Sequence, residues 1–139
     1  MGAQRYDATA TVSIVGEEAA LRRSIVLLLR AAGYRPQAHS TCDALLASAA
    51  RSRRRPRCIL IDHHMPDGMD GIDCLRRLAA AGIAVPSILI VDAERPLLDD
   101  AIASHVVAVL PKPVVSNEIV TAVAEATASR DGATRQHRA

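Results

Sequence analysis

The chain has 139 residues, half of them hydrophobic, and a formal net charge of +2. That length suits one globular domain burying roughly two-thirds of the surface its unfolded form exposes, and no second folded domain is expected. No apolar run approaches membrane-spanning length and the N-terminus lacks a hydrophobic signal segment. Cys42, Cys58 and Cys74 are odd in number and lack CxxC spacing. This argues against a disulfide framework and a structural zinc site, so a cytoplasmic, reducing location with thiols packed as small apolar core residues is expected. Tyr6 and Tyr34 are the only aromatic residues, which removes stacking platforms for single-stranded nucleic acid. All but one of the 17 basic residues are arginine, and the exception is Lys112. A compact ammonium reaches a single small anion in a way a planar guanidinium does not, which marks Lys112 for a specific role.

In chain order, a strand-like run at Thr11 to Val15 leads into helical periodicity at Leu21, Ile25, Leu28 and Ala32, stopped by Gly33. A weaker strand lies around Arg35 to His39, and Ser40 with Asp43 resembles an N-cap opening a helix through Ala50. The arginine run from Arg51 to Arg57 has no aromatic partners and ends a short connection containing Pro56, so it reads as a solvated loop rather than a nucleic-acid site. Strands follow at Cys58 to Ile61, Ser87 to Val91 and Val106 to Leu110. Helices are expected from about Ile72 to Ala81, closing at Gly82, and over roughly Leu97 to Ala103. The last helix is capped by Ser116 and buries Ile119, Val120, Val123 and Ala124. Residues 1–10 read as an N-terminal extension, 11–128 as the folded domain, and 129–139 as a polar, flexible tail. Five strands alternating with five helices predict an α/β fold, a five-stranded parallel sheet with helices on both faces.

In such a sheet, chemistry collects outside the carboxyl ends of the strands. The first strand delivers Gly16, Glu17 and Glu18, the third Asp62, the fourth Val91 and Asp92, and the fifth Pro111, Lys112 and Pro113. Asp62 could simply start a turn, since Asp is common where chains bend. Its convergence with two further acids and the lone lysine outweighs that reading. Paired acids suit a hard divalent cation such as Mg²⁺, with lysine balancing an added anion.

The run Ile59-Leu60-Ile61-Asp62-His63-His64-Met65-Pro66 followed by Gly71, with the first-strand acids and with Lys112-Pro113 after a hydrophobic strand, resembles the receiver domain of two-component response regulators. Within that family it is similar to the kind that begins transcription factors controlling symbiotic nitrogen fixation. The resemblance covers roughly residues 11 to 128 and implies the (βα)5 flavodoxin-like receiver fold. It also implies that Asp62 accepts a phosphoryl group from a sensor histidine kinase or phosphotransfer protein, and that Lys112 pairs with the phosphoryl oxygens. Mg²⁺ would be held by Glu17, Asp62 and the backbone carbonyl of His64, with Glu18 as a further candidate. The Lys112-Pro113 peptide would be cis. The domain would be a switch read by a downstream protein target, not a turnover enzyme, with no direct nucleic-acid or membrane contact and a second copy of the chain as a candidate partner.

Four positions depart from the family pattern. Gly16 stands where the leading acid is usual, so Glu17, one methylene longer than Asp, becomes the principal metal ligand and weak Mg²⁺ binding is expected. The fourth-strand tip, where the family carries Thr or Ser, falls on Val91 counted from Pro86 or on Asp92 matched through Ala93-Glu94. Val109 stands where a switching Tyr or Phe is usual. The turn Asp67-Gly68-Met69-Asp70-Gly71 is one residue longer than usual. A degenerate receiver, an interaction module without phosphate control, is therefore the alternative. Other chemistries fit less well. His63 and His64 lack a third transition-metal ligand. Asp67, Asp70 and Asp73 lack the EF-hand order and read as helix-start acids, and Gly16-Glu17-Glu18 would repel a nucleotide phosphate.

Overall fold

The computed structural model describes residues 10–51, 55–64, 69–92 and 98–138. Strand and helix alternate throughout: β1 (Thr11–Val15), α1 (Ala19–Ala31), β2 (Arg35–His39), α2 (Cys42–Arg51), β3 (Cys58–Asp62), α3 (Gly71–Ala80), β4 (Ser87–Val91), α4 (Asp100–Ala103), β5 (Val106–Pro111) and α5 (Ser116–Arg138). All strand pairs are parallel, in the order β2-β1-β3-β4-β5. Because β1 lies against β3 while β2 turns outward, the winding reverses between them. A crevice opens there at the carboxyl edge.

β3 and β4 are buried at every position because helices cover both faces, which is why they read as unbroken apolar runs. Side-chain alternation divides the core in two. Ile59, Ile61, Leu89 and Val91 pack with Leu45 of α2, Leu75 and Leu78 of α3 and Ile102 of α4. Leu60, Ile88 and Ile90 pack with Ile25 and Leu29 of α1 and Ile119, Val123 and Ala126 of α5. β2 pairs only with β1, and an edge position tolerates Pro36. Two helices end in Schellman motifs. Gly33, at φ 98°, lets the Tyr34 and Gly33 amides donate to Leu29 and Arg30, and Gly82, at φ 77°, does the same for Ile83 and Gly82 on Leu78 and Ala79. Among the described residues no helix is long and apolar enough to cross a membrane.

The structure moves several expected details. The α2 cap is Thr41, whose hydroxyl accepts from the Ala44 amide at 3.0 Å, rather than Ser40. At α5, Ser116 is already helical, and the Val115 carbonyl receives the first helical bonds, from Glu118 and Ile119. The buried stripe of α5 is Ile119, Ala122, Val123 and Ala126, and Ala124 faces solvent, as a 3.6-residue period from Ile119 requires. The helical backbone continues through residues 129–138, the stretch expected as a flexible tail. α4 begins at Asp100, and its expected start at Leu97 lies outside the described residues, as do residues 1–9, 52–54 and 65–68. Arg57 is not a purely solvated end of the arginine run, for its Nη2 donates to the Thr127 carbonyl of α5 at 3.1 Å.

The start of α3 matters most to the crevice, because it ends the connection that leaves Asp62. Asp70 caps it in a reciprocal box: the Asp70 carboxylate accepts from the Asp73 amide at 2.9 Å, and the Asp73 carboxylate accepts from the Asp70 amide at 3.0 Å. Asp70→Ala should lower stability by about 1 kcal/mol, read as a reduced urea midpoint at unchanged slope. An unchanged midpoint would show that the cap does not hold the helix.

Candidate functional site

Each strand tip is fixed by backbone bonds that continue the ladder past the strand end. The His63 amide donates to the Ile90 carbonyl at 2.8 Å, and the Lys112 amide donates to the Val91 carbonyl at 2.7 Å. The side chains at the ends of β3, β4 and β5 are thereby held side by side. The Lys112-Pro113 peptide, immediately after β5, is cis.

Asp62 is 3% exposed, so its carboxylate depends on partners rather than water. Oδ1 accepts the His64 amide at 3.0 Å and Oδ2 accepts Lys112 Nζ at 3.1 Å. Lys112 Nζ also donates to Glu18 Oε1 at 2.7 Å and lies 4.0 Å from Asp92 Oδ1. Burial alone would push the lysine pKa down, but the hydrogen bonds to Glu18 and Asp62 and their charges hold it above its ordinary value. One ammonium therefore faces three carboxylates. The other oxygen of Asp92 is bonded to His64 Nε2, so His64 touches two acids, one through its backbone and one through its ring.

Gly16 is explained by crowding. A Cβ built there would lie 2.7 Å from the Asp62 Cβ and 3.4 Å from its Oδ2, so the space an acid would take at this position is filled by Asp62 itself. Arg22 fixes the turn from β1 to α1, its Nη1 donating to the carbonyls of Gly16 at 2.6 Å and Glu17 at 3.0 Å. With the turn so held, Glu18 reaches the lysine, and the Glu17 residue lies exposed. Of the two adjacent acids, both exposed, Glu18 is the one whose carboxylate is bonded to Lys112.

At the tip of β4, Val91 is fully buried in the cluster under α2, α3 and α4, whereas Asp92 reaches the ammonium. Val109 is partly buried against the same cluster as Val91. His63 and His64 do not converge, their ring centroids standing 6.2 Å apart at 62°. Asp70 and Asp73 spend their carboxylates on the α3 cap, and Asp67 lies outside the described residues. As arranged, the carboxylates of Asp62 and Glu18 are both turned to Lys112 rather than to a shared cation position. Among the described residues no three His, Cys, Asp or Glu side chains form a group able to hold a metal, and Lys112 sits between the carboxylates. Sequence reasoning missed the His64–Asp92 contact. The available signal was that these residues follow the ends of two neighbouring parallel strands.

A family model described as the response regulator receiver domain matches residues 12–124. The transcriptional regulatory protein FixJ of Rhizobium meliloti is 31% identical over 118 residues, which are 84% of this chain and 56% of that protein. Nodulation protein W of Bradyrhizobium diazoefficiens is 30% identical over 119 residues, 85% of this chain and 51% of that protein. The chain spans about half the length of these curated relatives. The crystal structure of FixJ-N matches the fold with a TM-score of 0.73 at 31% identity, over 85% of this chain and 93% of that one.

The close approach at Gly16 is open to a direct measurement. Gly16→Ala should destabilise the fold by about 1–3 kcal/mol in urea unfolding, the range for overpacking, because the atom it meets is a Cβ and not the free end of a flexible side chain. A variant as stable as the parent would show that the turn yields without cost.

Proposed function

Because the chain belongs to the response regulator receiver family, we propose that it accepts a phosphoryl group on Asp62 from a histidine kinase or phosphotransfer protein and acts as a cytoplasmic signalling switch. Receiver domains are signalling modules that work with such donors and with downstream effectors, and they are generally not turnover enzymes. The observation that carries the residue assignment is the buried carboxylate of Asp62 at the sheet's reversal point, held 3.1 Å from the ammonium of the chain's only lysine.

A carboxylate oxygen of Asp62 attacks phosphorus in line, the bond from phosphorus to the donor breaks, and an acyl phosphate forms. Such transfer needs positioning and neutralisation of the equatorial oxygens more than covalent assistance from the protein. The His64 amide fixes the orientation of the carboxylate, and Lys112 supplies the positive charge. Receiver domains typically bind Mg²⁺ at this position, and in this chain Asp62, Glu17 or Glu18 and the His64 carbonyl would hold it, adding to the positive charge of Lys112. Glu18 and Asp92 compete with the phosphoryl oxygens for the same ammonium. Asp92, which we assign to the position where the family carries a hydroxyl, adds repulsion in place of a hydrogen bond.

Incubation with acetyl phosphate and Mg²⁺ followed by intact mass should give a phosphoryl adduct that is absent from Asp62→Ala. No adduct from acetyl phosphate and none from the cognate kinase would sink the reading. Asp92→Thr exchanges a repelling carboxylate for a donor. A hydrogen bond to a charged group is worth about 1.5–3 kcal/mol, so the adduct should persist roughly tenfold longer or more. Val91→Thr, buried in the apolar cluster, should leave the lifetime unchanged, and the reverse pattern would put the tip at Val91.

A further inference from the structure

We propose that the His64 imidazole is a positioning residue for phosphoryl transfer: it holds the Asp92 carboxylate out of hydrogen-bond reach of Lys112 and so keeps the ammonium available to the phosphoryl group. This rests on the role of Asp62 proposed above. Three carboxylates face the ammonium, and two are bonded to it, Glu18 at 2.7 Å and Asp62 at 3.1 Å. Asp92 Oδ1 stops at 4.0 Å, and the other oxygen, Oδ2, is bonded to the ring Nε2 of His64. The Asp92 side chain is half-exposed, and opposite charge alone would draw it closer to Lys112. The bond to the ring opposes that pull.

The ring can restrain Asp92 because the backbone beneath it is fixed. The His64 amide donates to Asp62 Oδ1 at 3.0 Å, and His64 forms an antiparallel bridge with Asp70, the residue that caps α3. One residue earlier, the Gly71 amide donates to the His63 carbonyl at 2.9 Å and the His63 amide donates to the Ile90 carbonyl of β4 at 2.8 Å. A Cβ at Gly71 would meet the His63 Cα at 3.0 Å, so glycine lets the two ends of this connection close on each other. The imidazole thus stands on a stretch pinned to Asp62, α3 and β4, and it reaches from the end of β3 to the end of β4. With Asp92 on the ring, Lys112 has two bonded acids and turns to the phosphoryl oxygens by releasing them. With Asp92 off the ring, a third carboxylate takes the ammonium and stands nearer the incoming negative charge. The plainer role is an exposed ion pair of little energetic consequence, which predicts equal kinetics with and without the ring.

The test follows adduct formation on the full chain from acetyl phosphate and Mg²⁺ by intact mass, and adduct lifetime once the donor is removed. His64→Ala should slow formation and shorten the lifetime by roughly tenfold, the scale of a hydrogen bond to a charged group. His64→Gln keeps an N–H donor at a similar reach and should recover most of the loss. In an Asp92→Thr background His64→Ala should change neither quantity, because no carboxylate is left to restrain. Equal kinetics in the parent and His64→Ala overturn the proposal. So does a loss that persists in the Asp92→Thr background, since the ring would then act on the phosphoryl group or the fold and not through Asp92. The restraint is also read without a donor: the carboxyl carbon resonance of Asp92 should shift in His64→Ala and return in His64→Gln, and an unmoved resonance overturns the contact. A parent that forms no adduct while this resonance moves rejects the role of Asp62 and with it the role of the ring in transfer, which keeps that failure distinct from failure of the contact itself.

Discussion

The ion pair between Asp62 and Lys112 is the constraint around which the carboxyl edge is built. A carboxylate 3% exposed cannot be left to water, and removing one member of such a pair strands the other, at a cost of about 3–5 kcal/mol. The pair also spans a strand. Asp62 ends β3, Lys112 follows β5, and β4 lies between them in the sheet. Its geometry therefore depends on the register of three strands at once, which the amide bonds from His63 to Ile90 and from Lys112 to Val91 fix from the backbone. This also accounts for the single lysine among so many arginines. The ammonium must reach Glu18, Asp62 and Asp92 around one point, and a planar fork presents its donors in one plane.

The acids around that ammonium are displaced from the family pattern rather than reduced. Gly16 carries no carboxylate because Asp62 fills its space, and negative charge returns at Glu18 and Asp92. The displacement changes what the charge does. Glu18 is bonded to the lysine and Asp92 to the ring of His64, so both acids are engaged inside the protein. His64 links the start of the connection that leaves Asp62 to the tip of β4, because its amide serves one acid and its ring the other. Any rearrangement that turns Lys112 toward an incoming phosphoryl group has to release Glu18 and leave two acids facing it.

The fold was legible because fully buried parallel strands read as continuous apolar runs. β2 and β4 have their expected ends, and β3 and β5 each extend one residue further. Gly33 and Gly82 were legible as helix stops because their left-handed backbone has few other occupants. Features set by tertiary geometry were not. Which of two neighbouring acids faces the crevice depends on the Arg22 clamp across the β1–α1 turn, and nothing in Gly16-Glu17-Glu18 alone shows it. Counting left open whether Val91 or Asp92 matches the family's hydroxyl position, because burial is what separates them: one side chain packs under the helices while the other meets Lys112.

Accepting a phosphoryl group and transmitting the event are separate problems in this chain. Val109 offers neither a hydroxyl nor an aromatic ring, and Val91 is locked in the core, so a signal from the tips has no polar relay at these two positions. What remains is the layer formed by α2, α3 and α4. Arg77 joins α3 to Asp43 of α2, and Arg76 reaches Asp99, the cap of α4, at 2.8 Å. Both ion pairs are solvent-exposed, and such pairs are worth about 0–1 kcal/mol, too little to carry a coupling of typically 1–3 kcal/mol by themselves. The larger resource is the apolar cluster beneath them, where Ile61 of β3, Val91 of β4, Leu75 of α3 and Ile102 of α4 pack together with Val109 at the margin. Close-packed side chains transmit displacement because they have no room to absorb it. In this chain, the packed connection from the end of β3 to α4 runs through this cluster, with the ion pairs bridging the same helices at the surface.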